Sequence, residues 1–369
     1  MLKKFVVQNY KCFYEPIVFD LSARDYEFNK TLVKDEIVNK AIIYGKNGIG
    51  KSSLGMAMFD IVIHLTDKEN PAPNYLQNYR NLDHLTGEVS FQYYFQFDGD
   101  EVVYSYEKYD AEYLLHEKLS VNGKLLIDYH YFDDRCRFIA PQVQGNLRID
   151  LVDNKLSVVK YIYKNTPRSY QDPLARMVQF VERMLWFRSL SDGNSYVGFT
   201  NGRSSLSEIL YASGQLPEFV DFLKDNDQIY DLGFETINGH HELMAYFENK
   251  KVKAPFAELA STGTKALFLF FTWMVAAFRN ASLVFIDEFD AFLHFESSES
   301  IVALLNKNRQ FQSFLTTHNT GLMTSKLTRP DCCFVMTANK ISSLKNATKR
   351  ELREGHNLEK LYLGGEFDG

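Results

Sequence analysis

The sequence lacks the features that mark secreted, membrane-spanning and fibrous proteins. Its four cysteines form no C-x-x-C pair, which indicates neither a zinc site nor a disulfide framework and favours a reducing, cytosolic compartment. The longest apolar run, residues 266–278, is too short to span a bilayer and predicts a buried helix. Sustained heptads are also absent, so no long coiled coil is expected.

Basic residues are not in excess either. The formal net charge is −6, which argues against a surface coated in basic residues but leaves room for a local nucleic-acid groove. Aromatic residues, by contrast, are abundant, and the 30 Phe and 22 Tyr predict an aromatic-rich core. A chain of 369 residues is long enough for one large domain or two lobes.

One stretch, Gly45–Ser52, has the spacing G-x-x-x-x-G-K-S of a phosphate-binding loop. Residues 40–44 predict a buried strand before it, and residues 53–65 predict a helix after it. In such a unit, backbone N–H groups and the helix N-terminus bind phosphate. We therefore predict a nucleotide site, in which Lys51 reaches the β- and γ-phosphates and Ser52 helps to hold Mg²⁺. The residues expected to contact the nucleotide are Gly45, Asn47, Gly48, Gly50, Lys51, Ser52 and Ser53.

A second apolar strand, residues 283–286, runs directly into Asp287 and Glu288. A strand of four apolar residues is typical of one buried on both faces, so its carboxyl end would carry these acids to the edge that holds the phosphate loop. Asp287 would hold Mg²⁺, and Glu288 would polarise an attacking water as general base.

A third strand, residues 314–317, ends at His318. A helix is expected between the second and third strands, at 296–308, and such a crossover would place His318 beside Glu288. There the imidazole would contact a γ-phosphate or the attacking water.

A Ser and a Gly also precede the apolar helix at 266–278, within Ser261–Lys265. Free N–H groups and a hydroxyl at a helix N-terminus make a second anion site. On these residues alone, an ordinary serine N-cap is the better interpretation.

Between the phosphate loop and this second half, four strand-like runs predict an antiparallel meander at 88–97, 101–109, 113–121 and 124–127. The Asn-Gly pair at 122–123 predicts a hairpin. From about residue 145 to residue 228 the sequence predicts mainly helices, and loops are expected at 70–74 and 191–205.

The order of these motifs resembles that of the ABC-type ATPase heads, a group that includes the SMC, RecF and OLD proteins. The resemblance covers nearly the whole chain and is closest to the short stand-alone AAA/ABC ATPases of bacterial abortive-infection and phage-defence loci. The segments that carry it are Phe5–Cys12, Gly45–Ser52, Ser261–Lys265, Ile286–Asp290 with Leu293 and His294, Thr317–Asn319, Arg329–Asp331 and Leu361–Phe367.

This resemblance implies an α/β fold: a P-loop NTPase head of ABC type with a mixed β-sheet, an antiparallel meander and an inserted helical lobe. The expected divisions are an N-terminal lobe at 1–144, a mainly helical insertion at 145–256 and a C-terminal lobe at 257–369. It also implies ATP and Mg²⁺ as ligands, ATP hydrolysis, and a dimer in which Ser261 and Gly263 contact the nucleotide of the other subunit.

The sequence departs from the family pattern at two positions. Thr262 replaces a second glycine of transporter-type signatures, and His294 replaces an aspartate that makes a cross-dimer contact. Gln142, with Gln144 as the second candidate, would be the glutamine that senses Mg²⁺, although either is as readily a surface residue. For the adenine base, Phe13 and Tyr14 are candidates for stacking, and a core position is at least as good an interpretation.

The resemblance implies an ATP-gated head that controls a separate effector, such as a nuclease of TOPRIM or HNH type, in antiphage defence. The alternative is a RecF-like ATP-dependent DNA clamp. A membrane-transporter motor is a weaker hypothesis, because the sequence contains no candidate membrane-spanning segment. For the clamp, candidate DNA contacts are Arg176, Arg183, Arg188, Arg203, Lys340, Lys345, Lys349 and Arg350. A solvated face is the favoured interpretation of both the arginines of the helical segment and the basic residues near the C-terminus.

The cluster His240-His241-Glu242 is likewise expected in a solvated loop rather than in a metal site.

Overall fold

The computed structural model describes residues 1–68, 77–149, 151, 154–187 and 205–367. The loop expected at 70–74, residues 191–204 of the second expected loop, Arg188 and Arg203 lie outside the described residues. The strands are β1 (Leu2–Gln8), β2 (Ile17–Asp20), β3 (Val33–Lys34), β4 (Ile37–Val38), β5 (Lys40–Tyr44), β6 (Val89–Phe97), β7 (Asp100–Lys108), β8 (Leu114–Val121), β9 (Lys124–His130), β10 (Arg137–Ile139), β11 (Met184–Phe187), β12 (Asp231–Ile237), β13 (His240–Phe247), β14 (Val252–Pro255), β15 (Leu283–Ile286), β16 (Gln312–Thr317), β17 (Cys333–Thr337) and β18 (Lys340–Ser343). The helices are α1 (Lys51–Leu65), α2 (Pro141–Gln144), α3 (Val158–Asn165), α4 (Pro173–Glu182), α5 (Leu206–Ser213), α6 (Leu216–Lys224), α7 (Phe256–Leu259), α8 (Thr262–Ala276), α9 (Phe295–Lys307), α10 (Leu344–Ala347) and α11 (Leu358–Leu363).

The predicted meander is confirmed as part of a seven-stranded antiparallel sheet with the order β10-β9-β8-β7-β6-β1-β2. Burial alternates along β6 and β7, so one face of this sheet packs on the core and the other faces solvent. The predicted hairpin joins β8 to β9, where Asn122 (φ 50°) and Gly123 (φ 74°) both adopt the left-handed conformation that a two-residue turn requires.

The central sheet has the order β11-β15-β16-β5-β17-β18, and all of its pairings are parallel except that of β18 with β17. Strands β5, β15 and β16 are buried along their whole length because layers of structure cover both faces. Strand β16 lies between β15 and β5. His318 therefore follows the strand next to the phosphate-loop strand, and Asp287 follows a strand one position further away.

Helix α1 lies between the two sheets and is apolar on nearly all sides. Towards the central sheet, a Cβ atom at Gly55 would come within 2.7 Å of Trp186 Nε1 and 2.8 Å of Phe285 Cε1, so only glycine allows this approach. Towards the antiparallel sheet, the Tyr93 hydroxyl donates to the Ala57 carbonyl at 3.0 Å. Contacts from both sheets therefore fix the position of the helix that follows the phosphate loop.

The two sheets also meet directly at Gln312, the first residue of β16. Its buried side chain accepts a hydrogen bond from Leu2 N at 2.7 Å and donates to Leu2 O at 2.9 Å and Val38 O at 3.0 Å. Nearby, the Phe19 ring packs edge-on against Phe334, with the ring centroids 4.9 Å apart. This joint ties the first strand of the chain to the central sheet.

The segment 145–256, expected to be mainly helical, contains α3 to α6 and also several strands. Strand β11 pairs with β15 in the central sheet, and β12, β13 and β14 form a three-stranded antiparallel sheet. The boundaries at 144 and 256 remain predictions. Among the described residues, no helix is both long and apolar enough to cross a membrane.

A buried ion pair links α1 to the antiparallel sheet. Asp60 of α1 accepts hydrogen bonds from Lys108 Nζ at 2.7 Å, the Tyr79 hydroxyl at 2.6 Å and the Tyr106 hydroxyl at 2.9 Å. Burial alone would raise the pKa of the Asp60 carboxyl, but the charge of the bonded Lys108, together with the neighbouring His64, outweighs burial and holds this pKa well below its usual range. Sequence reasoning missed this pair, because the two residues are 48 positions apart.

We expect Lys108→Met to lower the free energy of unfolding by about 3–5 kcal/mol, because it removes the positive charge that compensates the buried carboxylate of Asp60. Adding Asp60→Asn should restore much of this loss, since the uncompensated charge is then removed. The matched control is Lys253→Met, which breaks the exposed pair with Glu235 and should cost at most about 1 kcal/mol. Urea unfolding measures all three; equal losses for Lys108→Met and Lys253→Met would contradict the stabilising role of the buried pair.

Lys40, at the start of β5, gives a pH-dependent contribution to stability. Its Nζ donates to the Phe311 carbonyl at 2.7 Å, and burial lowers its pKa from 10.5 to about 7. The unfolded chain therefore binds more protons than the folded chain between pH 7 and pH 10, so this contribution rises with pH across that window. Between pH 7 and pH 9, the wild type should gain about 2 kcal/mol of unfolding free energy relative to Lys40→Met. A pH-independent difference in urea unfolding would show that Lys40 keeps an ordinary pKa.

Candidate functional site

The phosphate-binding loop joins β5 to α1, and glycine is required where it enters the helix. Gly50 caps α1 with φ 108°, and a Cβ atom there would lie 2.7 Å from Phe13 Cε1 and 2.8 Å from Cys12 Sγ. Lys46, Asn47 and Gly48 are exposed, so the backbone of the loop faces solvent at the N-terminus of α1. This arrangement fits a phosphate group, which would bind to the helix N-terminus and the loop amides.

Lys51 contacts the loop and the end of β16 together. Its Nζ donates to Gly45 O at 2.9 Å and to Lys46 O at 3.2 Å, and lies 2.8 Å from His318 Nε2. Burial lowers the pKa of the His318 imidazole, and the neighbouring charge of Lys51 lowers it further. At this distance Lys51 Nζ can donate a hydrogen bond to a neutral His318 imidazole.

Asp287 is almost fully buried beside the first turn of α1. Thr316 donates a hydrogen bond to its Oδ1 at 2.6 Å, and the Ser52 hydroxyl also bonds to its carboxyl. Burial raises the pKa of Asp287, and these two hydrogen bonds oppose that rise. A serine hydroxyl and a carboxylate are the hard oxygen ligands that Mg²⁺ prefers, so the residues present fit this cation.

Glu288 is exposed and follows Asp287 in an unusual backbone conformation. Its φ is 51°, which is costly for a residue with a side chain, and its backbone N–H donates to Thr316 Oγ1 at 2.7 Å. The Thr316 hydroxyl therefore bonds to both acidic residues: it donates to the Asp287 carboxylate and accepts from the Glu288 backbone. The bonded turn points the Glu288 side chain away from the core.

Thr317 and Asp290 also belong to this site, although the sequence analysis assigned neither of them a role. Thr317 donates to Asp290 Oδ2 at 2.6 Å and accepts from Asn319 N at 2.9 Å. The one available indication is the succession Thr316, Thr317 and His318 at the end of a buried strand, where polar side chains need partners.

The serine before α8 acts as the N-cap of that helix in this structure. Ser261 Oγ accepts from Thr264 N at 3.1 Å, and both Ser261 and Thr262 are exposed. A Cβ atom at Gly263 would lie 3.1 Å from the Phe292 carbonyl. His294 is exposed and caps α9 without a side-chain hydrogen bond.

The glutamine candidates lie in the short helix α2. Gln142 is exposed, and Gln144 Nε2 donates to Leu147 O at 3.0 Å. Among the described hydrogen bonds, none joins either glutamine to the phosphate loop. The role of Gln142 at Mg²⁺ stays a prediction.

The two aromatic candidates for adenine stacking have different surroundings. Phe13 is buried against Gly50, as the core interpretation expected, whereas Tyr14 is exposed and stacks on His84 with the ring centroids 3.5 Å apart. A cleft of about 650 Å³ opens beside α1, with a volume sufficient for a purine base. Its lining includes Lys11, Cys12, Ser53, Met56, Asn81 and Leu82. No pattern in the sequence indicated this cleft.

The cluster His240-His241-Glu242 is in β13 rather than in a loop. Its histidines face Glu208 of α5, with His241 Nδ1 3.2 Å from Glu208 Oε2 and His240 Nδ1 3.7 Å from Glu208 Oε1. The partner of the histidines is therefore a carboxylate that is distant in sequence.

A protein-family comparison matches residues 40–324, and the family is described as "AAA domain, putative AbiEii toxin, Type IV TA system". This stretch includes the phosphate loop, the serine that caps α8, both acidic residues and His318. No curated protein matches the chain.

Several solved structures are distantly similar. The SMC head bound to the C-winged helix domain of ScpA has a TM-score of 0.48 and 17% identity, covering 93% of this chain and 98% of that one. The SMC head domain from Thermotoga maritima has a TM-score of 0.45 and 15% identity, with the same coverage. The ATP binding subunit of an ABC transporter has a TM-score of 0.39 and 11% identity, covering 98% of both chains. With TM-scores below 0.5, these likenesses support no statement about activity or assembly.

The family match covers well over half of the chain and includes each motif that meets at the end of the central sheet. The predicted relationship to AAA/ABC ATPases of abortive-infection type is thereby confirmed. The chain belongs to this family of AAA-domain proteins, and in its α/β fold the phosphate loop, the acidic strand end and His318 all lie at one end of the parallel strands of the central sheet.

Proposed function

We propose that the protein binds and hydrolyses ATP with Mg²⁺, dimerises head to head around the nucleotide and thereby controls a partner effector in bacterial antiphage defence. The observation that supports this most directly is the hydrogen-bonded group at the end of β16. Thr316 joins Asp287 to Glu288, and His318 contacts Lys51 of the phosphate loop. One strand thus brings together a cation site, a candidate base and a phosphate-binding lysine.

In this proposal, Lys51 exchanges the loop carbonyls for the β- and γ-phosphate oxygens, and the loop amides hold the rest of the phosphate chain. Ser52 and Asp287 hold Mg²⁺, which neutralises charge on the phosphates. Glu288 accepts a proton from the attacking water, and its strained backbone holds the carboxylate outside the buried edge of the sheet. His318, neutral beside Lys51, senses the γ-phosphate by hydrogen bonding.

A dimer is proposed because the second anion site lies on the surface. Ser261 and Thr262 are exposed at the N-terminus of α8. Two exposed apolar residues lie at the start of α9: Phe292 precedes the helix, and Phe295 is its first residue. In a head-to-head pair, Ser261 and Gly263 would contact the nucleotide held by the other copy. The side chain of Thr262 leaves less space for the approaching phosphate than the second glycine of transporter-type signatures would.

The defence role is supported by the family description, which names an AbiEii toxin. The effector would be a separate protein, for example a nuclease. Dimerisation would present or withdraw the surface to which it binds.

The DNA-clamp alternative has one supporting observation. Arg176 and Arg183 line a cleft of about 840 Å³ between the sheets, together with Lys3, Lys34 and Arg309. Acidic residues offset part of this charge, since Arg176 Nη1 lies 3.2 Å from Asp98 Oδ2 and Lys3 Nζ lies 3.3 Å from Glu101 Oε1. A requirement for DNA in the dimerisation experiment would favour this alternative.

We expect Thr316→Val to lower the ATP hydrolysis rate by about 10- to 100-fold, because two hydrogen bonds to the acidic residues are lost. The pKa of Asp287 should rise, since one of the two hydrogen bonds that oppose the effect of burial is lost, and the acid limb of the pH–rate profile should move to higher pH. The matched control is Thr272→Val, another buried threonine, which bonds to the Phe268 carbonyl away from the site. If neither the rate nor the acid limb changes in Thr316→Val, Thr316 does not position the acids.

Glu288→Gln should keep ATP binding but lower hydrolysis by about 100- to 10,000-fold, because water activation is lost. Measured by light scattering, its solution mass should double when ATP and Mg²⁺ are added, with or without short duplex DNA. Lys51→Ala should bind ATP weakly and stay monomeric. Glu218→Gln, an exposed carboxylate on α6, is the control and should hydrolyse ATP like the wild type.

Hydrolysis by Glu288→Gln at the parent rate would remove Glu288 from the role of base. A mass that is the same in every condition would rule out the nucleotide-gated dimer. A mass that doubles with ATP only when DNA is present would favour the clamp.

A further inference from the structure

Three metal-ligating side chains meet on the solvent-facing side of the antiparallel sheet, away from the nucleotide site. His116 belongs to β8, and Asp128 and His130 belong to β9. His116 and His130 are direct cross-strand neighbours, and their rings stack with centroids 3.9 Å apart and an interplanar angle of 13°. All three side chains are half-buried, so the sheet restricts their positions while solvent reaches them.

Both imidazoles point a ring nitrogen at the same carboxylate oxygen. His116 Nε2 lies 2.7 Å from Asp128 Oδ1, and His130 Nε2 lies 3.5 Å from that atom. One ligand atom from each residue can be chosen so that all three lie within 4.8 Å of one another. Ligands at about 2.0–2.1 Å around a tetrahedral zinc ion are about 3.4 Å apart, so small side-chain rotations suffice to place a cation among them.

The surrounding charges also suit a cation. Glu107 of β7 places Oε2 3.8 Å from His116 Nδ1, which is the nitrogen that would face away from a metal bound at Nε2. A carboxylate beside the outer nitrogen of a ligating histidine orients the ring and raises its basicity. Lys118 opposes binding, with Nζ 3.8 Å from Asp128 Oδ2, but the two carboxylates outweigh its single charge.

We propose that His116, Asp128 and His130 form a binding site for a divalent transition metal of the zinc class, with water completing the coordination. Two imidazoles and one carboxylate suit Zn²⁺, Co²⁺ or Ni²⁺, whereas Mg²⁺ prefers ligand sets composed of oxygen. The site is therefore chemically distinct from the Ser52–Asp287 site. A metal there cross-links β8 to β9 and stabilises the meander.

The test uses the full chain without nucleotide or Mg²⁺. Co²⁺ should give visible absorption bands with the intensity of four- or five-coordinate cobalt, and Zn²⁺ in excess should abolish them and raise the melting temperature. His116→Ala and His130→Ala should each weaken Co²⁺ binding at least tenfold. His241→Ala is the matched control: His241 also lies beside a carboxylate and stacks on an aromatic ring, Tyr211, and its loss should leave Co²⁺ binding unchanged.

The Asp128→Asn variant distinguishes a metal site from a cluster of side chains that is held together by hydrogen bonds alone. Asparagine still accepts a hydrogen bond from either imidazole but is a much weaker metal ligand, so the melting temperature without metal should hold while Co²⁺ affinity falls. Lys118→Met should tighten binding several-fold by removing a nearby positive charge. Co²⁺ binding that survives the double variant His116→Ala/His130→Ala, or no absorption bands in the wild type, would overturn the proposal.

Discussion

The confinement of α1 between two sheets determines where the phosphate loop lies. On one side the absence of a side chain at Gly55 lets the helix approach Trp186 and Phe285, and on the other the Tyr93 hydroxyl bonds to its backbone. The buried pair of Asp60 and Lys108 adds a directional contact to this packing. Because apolar burial alone has no direction, the ion pair and hydrogen bonds help to select one position of α1 between the sheets.

A second set of buried, hydrogen-bonded side chains connects α1 to the antiparallel sheet. His64 Nε2 bonds to the Tyr104 hydroxyl at 2.9 Å, and Tyr104 donates to Glu117 Oε1 at 2.5 Å. Glu117 also accepts from Val158 N at 2.7 Å, at the start of α3. Glu117 faces the core, while the preceding residue, His116, faces solvent, so the proposed metal site and this buried group share one strand.

Strand β16 organises the candidate site because three consecutive residues at its end have different partners. Thr316 holds the acidic residues after β15, Thr317 holds Asp290, and His318 contacts Lys51 after β5. This follows from the strand order, in which β16 has β15 on one side and β5 on the other. A group that binds Lys51 would therefore alter a contact at the same strand end that positions Glu288.

The sequence alone determined the local elements and the chemistry of the motifs. Glycine spacing and flanking apolar runs are local properties, so they predicted the loop before α1, the acidic strand end and the Asn122-Gly123 hairpin. Tertiary structure decided which elements are neighbours: that β16 separates β15 from β5, that Thr316 bridges both acids, and that Phe13 is buried against Gly50. It also decided the pairing of Asp60 with Lys108 and the meeting of His116, Asp128 and His130. These contacts depend on strand order and register, which are set by packing across the whole chain, and no local pattern encodes them.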